Sequence, residues 1–180
     1  MIAIALDPTR LRLGLAGRGP MFRRRLDGLH RGGATPLVFS DDVAATAGDQ
    51  AFHPLGEVAV ARLDVLWIAG MATAEAAPLA EAARSRGALV NVEDHRPQCD
   101  FHSVAEIRRG DLLLTVSTGG RSPALTARLR ADLARRYGEA WAERLRLLAD
   151  QRDRWRREGM DLATVARRSD AVIDAAGWLP

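Results

Sequence analysis

Leu13-Gly14-Leu15-Ala16-Gly17-Arg18-Gly19-Pro20-Met21-Phe22 is the stretch whose reading decides the fold. An apolar run ends in a glycine pair and opens a segment with helical spacing, so it reads as strand, tight turn, helix. A dinucleotide-binding fingerprint requires that context. Gly17 suits the tight turn, and Gly19 lets the backbone approach a pyrophosphate. The third position of the fingerprint is normally Gly or Ala and here is Phe22, while Pro20 removes an amide beside the phosphate position. On residues alone, a dinucleotide site and a plain tight turn both stand. Arg18 fits either reading: it can meet a pyrophosphate or a 2′-phosphate, or it can crowd the site. The acid expected at the end of the second strand is present twice, as Asp41 and Asp42. Each can hold a ribose, and each can instead cap the segment that follows.

Outward from this stretch, the chain up to residue 108 alternates short apolar runs with amphipathic segments. That is the pattern of an α/β unit with a parallel sheet. Strands are expected over 2–6, 11–16, 36–40, 64–69 and 88–92, and helices over 18–31 and 74–86. Residues 46–63 read as a loop with a short strand or helix. Beyond Asp111 the pattern changes to one strand, 112–117, and three helices, 123–137, 139–157 and 162–175. The last two carry arginines on one face and Leu145, Leu148, Trp155 and Val165 on the other, which suits packing against a neighbour or a second subunit.

Composition excludes several classes. The 180 residues contain 26 basic side chains, all arginine, and 23 acidic ones. Without lysine there is no Schiff-base nucleophile. Codon usage of a GC-rich genome would account for the bias, and so would use of the arginine fork on carboxylates and phosphates. A net charge of +3 without a dense basic tract and interleaved aromatics gives no footprint for nucleic acid. No apolar run approaches the ~20 residues that span a bilayer, and arginines interrupt the apolar start, so no membrane partner is expected. Cys99 is the single cysteine, which points to a reducing cytoplasm.

Two further stretches carry chemistry. Asn91-Val92-Glu93-Asp94-His95 and the following Cys99-Asp100-Phe101-His102 place polar groups just beyond a buried strand, where open α/β sheets bind ligands. Asp94 there is a candidate general base or a loop cap. His95, Cys99 and His102, with Asp100 among them, lack the paired spacing of a structural zinc site, so no resident metal is expected. His30 and His53 stand alone and read as surface residues. Ser117-Thr118-Gly119-Gly120-Arg121-Ser122-Pro123 links a strand to a helix. Ser122 is a good N-cap and Pro123 a good first helical residue, leaving exposed amides beside an arginine. It reads either as an ordinary well-capped strand-to-helix connection or as a helix start that binds an anion.

In order and spacing, Asn91-Val92-Glu93-Asp94, Cys99-Asp100-Phe101, Gly110-Asp111-Leu112 and Ser117 to Pro123 resemble the precorrin-2 dehydrogenase and sirohydrochlorin ferrochelatase family, the siroheme synthase N-terminal module. The resemblance covers about residues 8–135. Ala69-Gly70-Met71-Ala72-Thr73 departs from it by lacking a Thr-Asp pair, and Val104 stands where proline is common. The resemblance implies a Rossmann-like parallel-sheet domain over 1–108, a dimerisation and substrate-site segment over 109–138, and a small helical C-terminal domain over 139–180. It implies NAD as cofactor, held at Gly17, Arg18, Gly19, Asp41 and Asp42, and oxidation of precorrin-2 to sirohydrochlorin with Asp94 as the catalytic carboxylate. Ser117, Gly119, Gly120, Arg121 and Ser122 would line the site of the polycarboxylate tetrapyrrole. Ferrous iron is a further substrate in some members, and a homodimer is the usual assembly. The alternative is a tetrapyrrole-binding protein or chelatase without dinucleotide use.

Overall fold

The computed structural model describes residues 2–41 and 52–179. They divide into two units, Met1–Ser103 and Val104–Pro180. The first unit is an all-parallel five-stranded sheet. β1 (Leu13–Gly17) lies at its centre, with β2 (Leu37–Phe39) and β3 (Phe52–His53) on one side. β4 (Val65–Ala69) and β5 (Leu89–Val92) lie on the other side, giving the order β3-β2-β1-β4-β5. Every residue of β1 and β4 is buried, because helices cover both faces.

Alternation along the strands assigns each helix its face. Leu13 and Leu15 point with Val38, Val65 and Trp67 toward α1 (Gly19–Arg31), which contributes Phe22 and, partly buried, Leu26 and Leu29. Ala16, Leu66, Ile68, Val90 and Val92 point to the other face, against α2 (Thr73–Arg84). α2 buries Ala76, Ala80 and Ala83, a helical stripe of methyl groups. A 3₁₀ turn over Leu55–Ala59 adds Leu55 and Val58 to that core.

Residues 2–6 form no strand, and Ile2 and Ile4 are exposed. β1 already has a parallel neighbour on each side, so a hairpin partner running back from Asp7 would find no free edge beside it. The doubtful 46–63 region resolves in part: Phe52–His53 is a strand and Leu55–Ala59 a 3₁₀ turn, and 46–51 lies outside the described residues.

In the second unit, β6 (Ala105–Arg109) and β7 (Leu112–Val116) form an antiparallel hairpin around Gly110 and Asp111. α3 (Pro123–Arg136) and α4 (Ala140–Arg157) both contact the hairpin, and α5 (Leu162–Ala175) packs on α4. Trp155 and Val165 are buried in this unit. The compact units meet at 103/104, because residues 105–109 are strand partners of 112–116. Within the second unit α4 rests on the same hairpin as α3.

Candidate active site

At the carboxyl edge of the sheet, β1 leads through α1 toward β2, while its neighbour β4 leads through α2 toward β5. The chain departs in opposite directions from adjacent strands, which opens a crevice there. The two exits pack backbone to backbone. Gly17 has φ +138°, and a Cβ on it would stand 1.8 Å from the Ala69 carbonyl oxygen. A Cβ on Gly70, at φ +70°, would stand 2.0 Å from the Arg18 carbonyl oxygen. The Arg18 N–H donates to the Ala69 oxygen at 3.2 Å and carries the ladder one residue further.

Gly19 is different. Its φ is +72°, yet among the described residues, its chain neighbours and own helix backbone aside, no atom lies within 4 Å of where its Cβ would be. α1 starts here, and the Arg18 side chain makes no capping bond to it. The first amides of α1 have no acceptor within the helix, and those of Gly19 and Met21, both partly exposed residues, stand at the positive end of the helix dipole. That cradle fits a diphosphate. Phe22, the departure from the fingerprint, is fully buried on the core side, its ring 6.4 Å from that of Phe52. It takes no volume from the crevice.

Arg18 pairs with Glu75 at the start of α2. Glu75 also accepts the Ala72 N–H at 3.2 Å, and these bonds, Arg18 first, hold its carboxyl below the usual range. Asp41 accepts the Leu55 N–H at 3.2 Å, so one of its oxygens does the capping work. Asp42 lies outside the described residues.

Asp94 occupies the exposed tip of a turn beyond β5, closed by the His95 N–H on the Val92 oxygen at 3.0 Å. Its φ is +62°, and among the described residues it alone of the non-glycines has a positive φ. Asp and Asn enter this region more readily than other side chains, but it remains strained for them. The turn is tied on both shoulders. Glu93 Oε1 accepts from Arg24 at 3.1 Å and Arg25 at 3.2 Å, both on α1. His95 Nε2 lies 2.5 Å from Thr73 Oγ1, the first residue of α2.

The rest of the motif is structural. The buried Asn91 amide donates to the Phe101 oxygen at 2.8 Å. The Cys99 thiol donates to the Val92 and His95 oxygens at 3.1 and 3.3 Å. The Asp100 carboxylate accepts from the Val90 N–H and from Arg84, each at 2.9 Å. These bonds fold the loop back on β5, and His95 and Cys99 are engaged separately. Among the described residues no three His, Cys, Asp or Glu side chains gather as a metal site. Four buried side-chain atoms nevertheless lack a partner among the described residues: Arg25 Nε, Glu93 Oε2, His95 Nδ1 and Gln98 Oε1. All belong to this loop or to the helix tied to it.

Gly17, Arg18, Gly19, Asp41 and Asp94 thus share one sheet edge. Ser117 to Ser122 belong to the second unit. There the Ser122 hydroxyl accepts the Leu125 N–H at 3.2 Å, as an N-cap does. Thr118, absent from the expected site, organises the loop: its hydroxyl accepts the Ser122 N–H and meets that of Thr126 at 2.9 Å. Gly119 and Gly120 both have positive φ, and the Gly119 N–H is taken by Ser117 Oγ. Arg121 is exposed.

Residues 4–105, more than half of the chain, match a family described as "Putative NAD(P)-binding". The chain belongs to that family. Residues 109–136 match a second model, described as the sirohaem biosynthesis protein central domain. Similar proteins include a siroheme synthase of Methylococcus capsulatus, 42% identical over 80 residues, which are 44% of this chain and 17% of the relative. A precorrin-2 dehydrogenase of Priestia megaterium is 26% identical over 161 residues, 84% of this chain and 79% of the relative. A solved structure named SirC, precorrin-2 dehydrogenase, has the same fold: TM-score 0.79 at 23% identity, over 100% of this chain and 93% of that one. The chain spans only 17%, 26% and 34% of three siroheme synthases it matches. The glycine crevice and Asp94 both lie within residues 4–105, the part of the chain that matches the NAD(P)-binding family.

Proposed function

We propose that this chain oxidises precorrin-2 to sirohydrochlorin with NAD. The observation that carries the reading is Asp94: an exposed carboxylate in a strained turn, at the sheet edge that holds the glycine crevice. The amides at the start of α1 bind the pyrophosphate, and the carboxylate at Asp41 orients a ribose and disfavours a 2′-phosphate by charge. NAD, when bound, supplies the two-electron acceptor. Asp94 removes the proton that must leave the tetrapyrrole as the substrate gives up a hydride, so charge and electrons balance. The arginine-flanked helix start at Ser117 to Ser122 binds substrate carboxylates.

The same carboxylate can accept pyrrole protons as a metal enters, so ferrous iron is a candidate second substrate, handled without a resident site. The assembly we propose is a homodimer in the cytoplasm. Among the described residues no helix is long and apolar enough to cross a membrane.

The test is an anaerobic assay of precorrin-2 with NAD⁺, followed by absorbance. Sirohydrochlorin and NADH are expected in equal amounts, and from Asp94→Ala at a rate lower by roughly 10² to 10⁴. Absence of turnover at any cofactor concentration overturns the reading. A parallel NADH fluorescence titration addresses the alternative of a chelatase without dinucleotide use, which the pairing of Arg18 with Glu75 keeps in play. Tight sirohydrochlorin binding without NADH affinity would favour that alternative.

A further inference from the structure

Asp94 is held in an unfavourable conformation, and the residues that hold it are not themselves at the tip of the turn. Glu93 has a side chain only 11% exposed, and its Oε1 takes both Arg24 and Arg25 from α1. Its backbone N–H donates to the Ile68 oxygen at 2.9 Å, which extends the β4–β5 ladder to the residue before Asp94. The backbone of Glu93 is thereby fixed to β4 and its side chain to α1. A carboxylate taken this far out of water needs its charge met. Arg25, itself mostly covered, meets it at 3.2 Å, and Arg24 reaches in from solvent at 3.1 Å.

Stability alone does not explain this arrangement. Glu93 Oε2 and Arg25 Nε are buried without partners among the described residues, so there the ion pair is incompletely satisfied. A leucine–leucine contact in the same place would pack without desolvating two charges. The pair does supply direction. It pins one shoulder of the turn to the helix whose first residues line the glycine crevice, while His95 pins the other shoulder to α2. Relaxation of the left-handed turn would swing the Asp94 carboxylate away from its place, and the tether opposes that.

We propose that Glu93 is a positioning residue for Asp94, fixing the catalytic carboxylate relative to α1 through Arg25 and Arg24. The proposal rests on the reading of Asp94 as the catalytic group. A displacement of about 1 Å at a reacting group costs on the order of a hundredfold in rate. Glu93→Gln, which keeps the shape and removes the charge, is therefore expected to lower kcat about ten- to a hundredfold. KM for NAD⁺ and for precorrin-2 should stay near wild type, because neither binding surface is altered.

The experiment measures kcat, both KM values, NADH affinity and thermal unfolding for Glu93→Gln beside Asp94→Ala. A fall in kcat with unchanged KM and retained NADH binding supports the proposal. Wild-type kcat in folded Glu93→Gln, or a change confined to KM, overturns it. Should Glu93→Gln fail to fold, Arg24→Gln removes the solvent-side tether without opening the core. It is expected to lower kcat severalfold, and wild-type kcat there overturns the proposal equally. If Asp94→Ala itself turns over normally, the reading of Asp94 fails. If Asp94→Ala is inactive and Glu93→Gln is not impaired, the positioning role alone fails.

Discussion

The two edges of the parallel sheet are built by opposite rules. At the amino edge the polar groups close on one another. The Asp64 carboxylate accepts the Arg12 backbone N–H at 2.7 Å and its guanidinium at 2.8 Å, and the Arg12 oxygen receives the Asp64 N–H. The Asp64 oxygen takes the Leu89 N–H, and Arg86 caps the Ala59 oxygen. At the carboxyl edge, glycines replace side chains, a helix starts without a side-chain cap, an aspartate sits at positive φ, and four buried polar atoms go unpaired among the described residues. One edge is satisfied and fastens the strands. The other carries strain and open donors, which is where a ligand finds its interactions.

Single changes should divide along the same line. The largest effect is expected from Gly17→Ala. Its Cβ would overlap the Ala69 carbonyl at a φ that alanine resists, so loss of folding is expected, on the order of 4 kcal/mol or more. A melting temperature near wild type would refute the close approach of β1 and β4. Next comes Asp94→Ala, with turnover reduced by roughly 10² to 10⁴ and the melt nearly unchanged, since the side chain is exposed. Asp94→Gly sharpens the point: it should relieve the turn and match or exceed wild type in stability while remaining inactive.

Gly19→Ala is a milder case. Among the described residues, its chain neighbours and own helix backbone aside, no atom lies within 4 Å of the new Cβ, so only the positive φ is penalised, about 1 kcal/mol in chemical unfolding. NADH affinity should fall by more than stability does, because the methyl group enters the space in front of the helix. Equal affinity in both proteins would place the dinucleotide elsewhere.

The smallest effect belongs to the amino edge. The Arg12 side chain, and then its backbone N–H, hold the Asp64 carboxyl down to about 2 from 3.8. Because the folded value is the lower, the associated stability is fully present above about pH 4 and is lost as pH falls toward 2. Arg12→Ala should therefore flatten the acid limb of the stability curve in that window and leave turnover at neutral pH unchanged. The pair is open to solvent, so added salt should weaken it.

Much of the first unit was legible because its signals are local. The run from Leu13 to Phe22 announces strand, turn and helix, and the apolar runs over 64–69 and 88–92 match β4 and β5 within a residue. β6 was missed because Ala105-Glu106-Ile107-Arg108-Arg109 buries only Ile107 and so shows no alternation; its strand character comes from pairing with β7. Residues 2–6 showed the apolar pattern of a strand, but β1, the strand next in sequence, is already paired on both sides. Phe22 read as an obstacle to the dinucleotide, whereas its ring turns into the core.

By itself the sequence determined which residues can bend, cap and ionise: the glycines of the crevice, the Ser122 cap, the carboxylate at Asp94. These properties depend on residues a few positions apart. Only the tertiary structure decided that Gly17 must meet Ala69, that Glu93 answers Arg24 and Arg25, and that His95 answers Thr73. Those partners lie tens of residues apart, and burial of the sheet, not any local preference, brings them within reach.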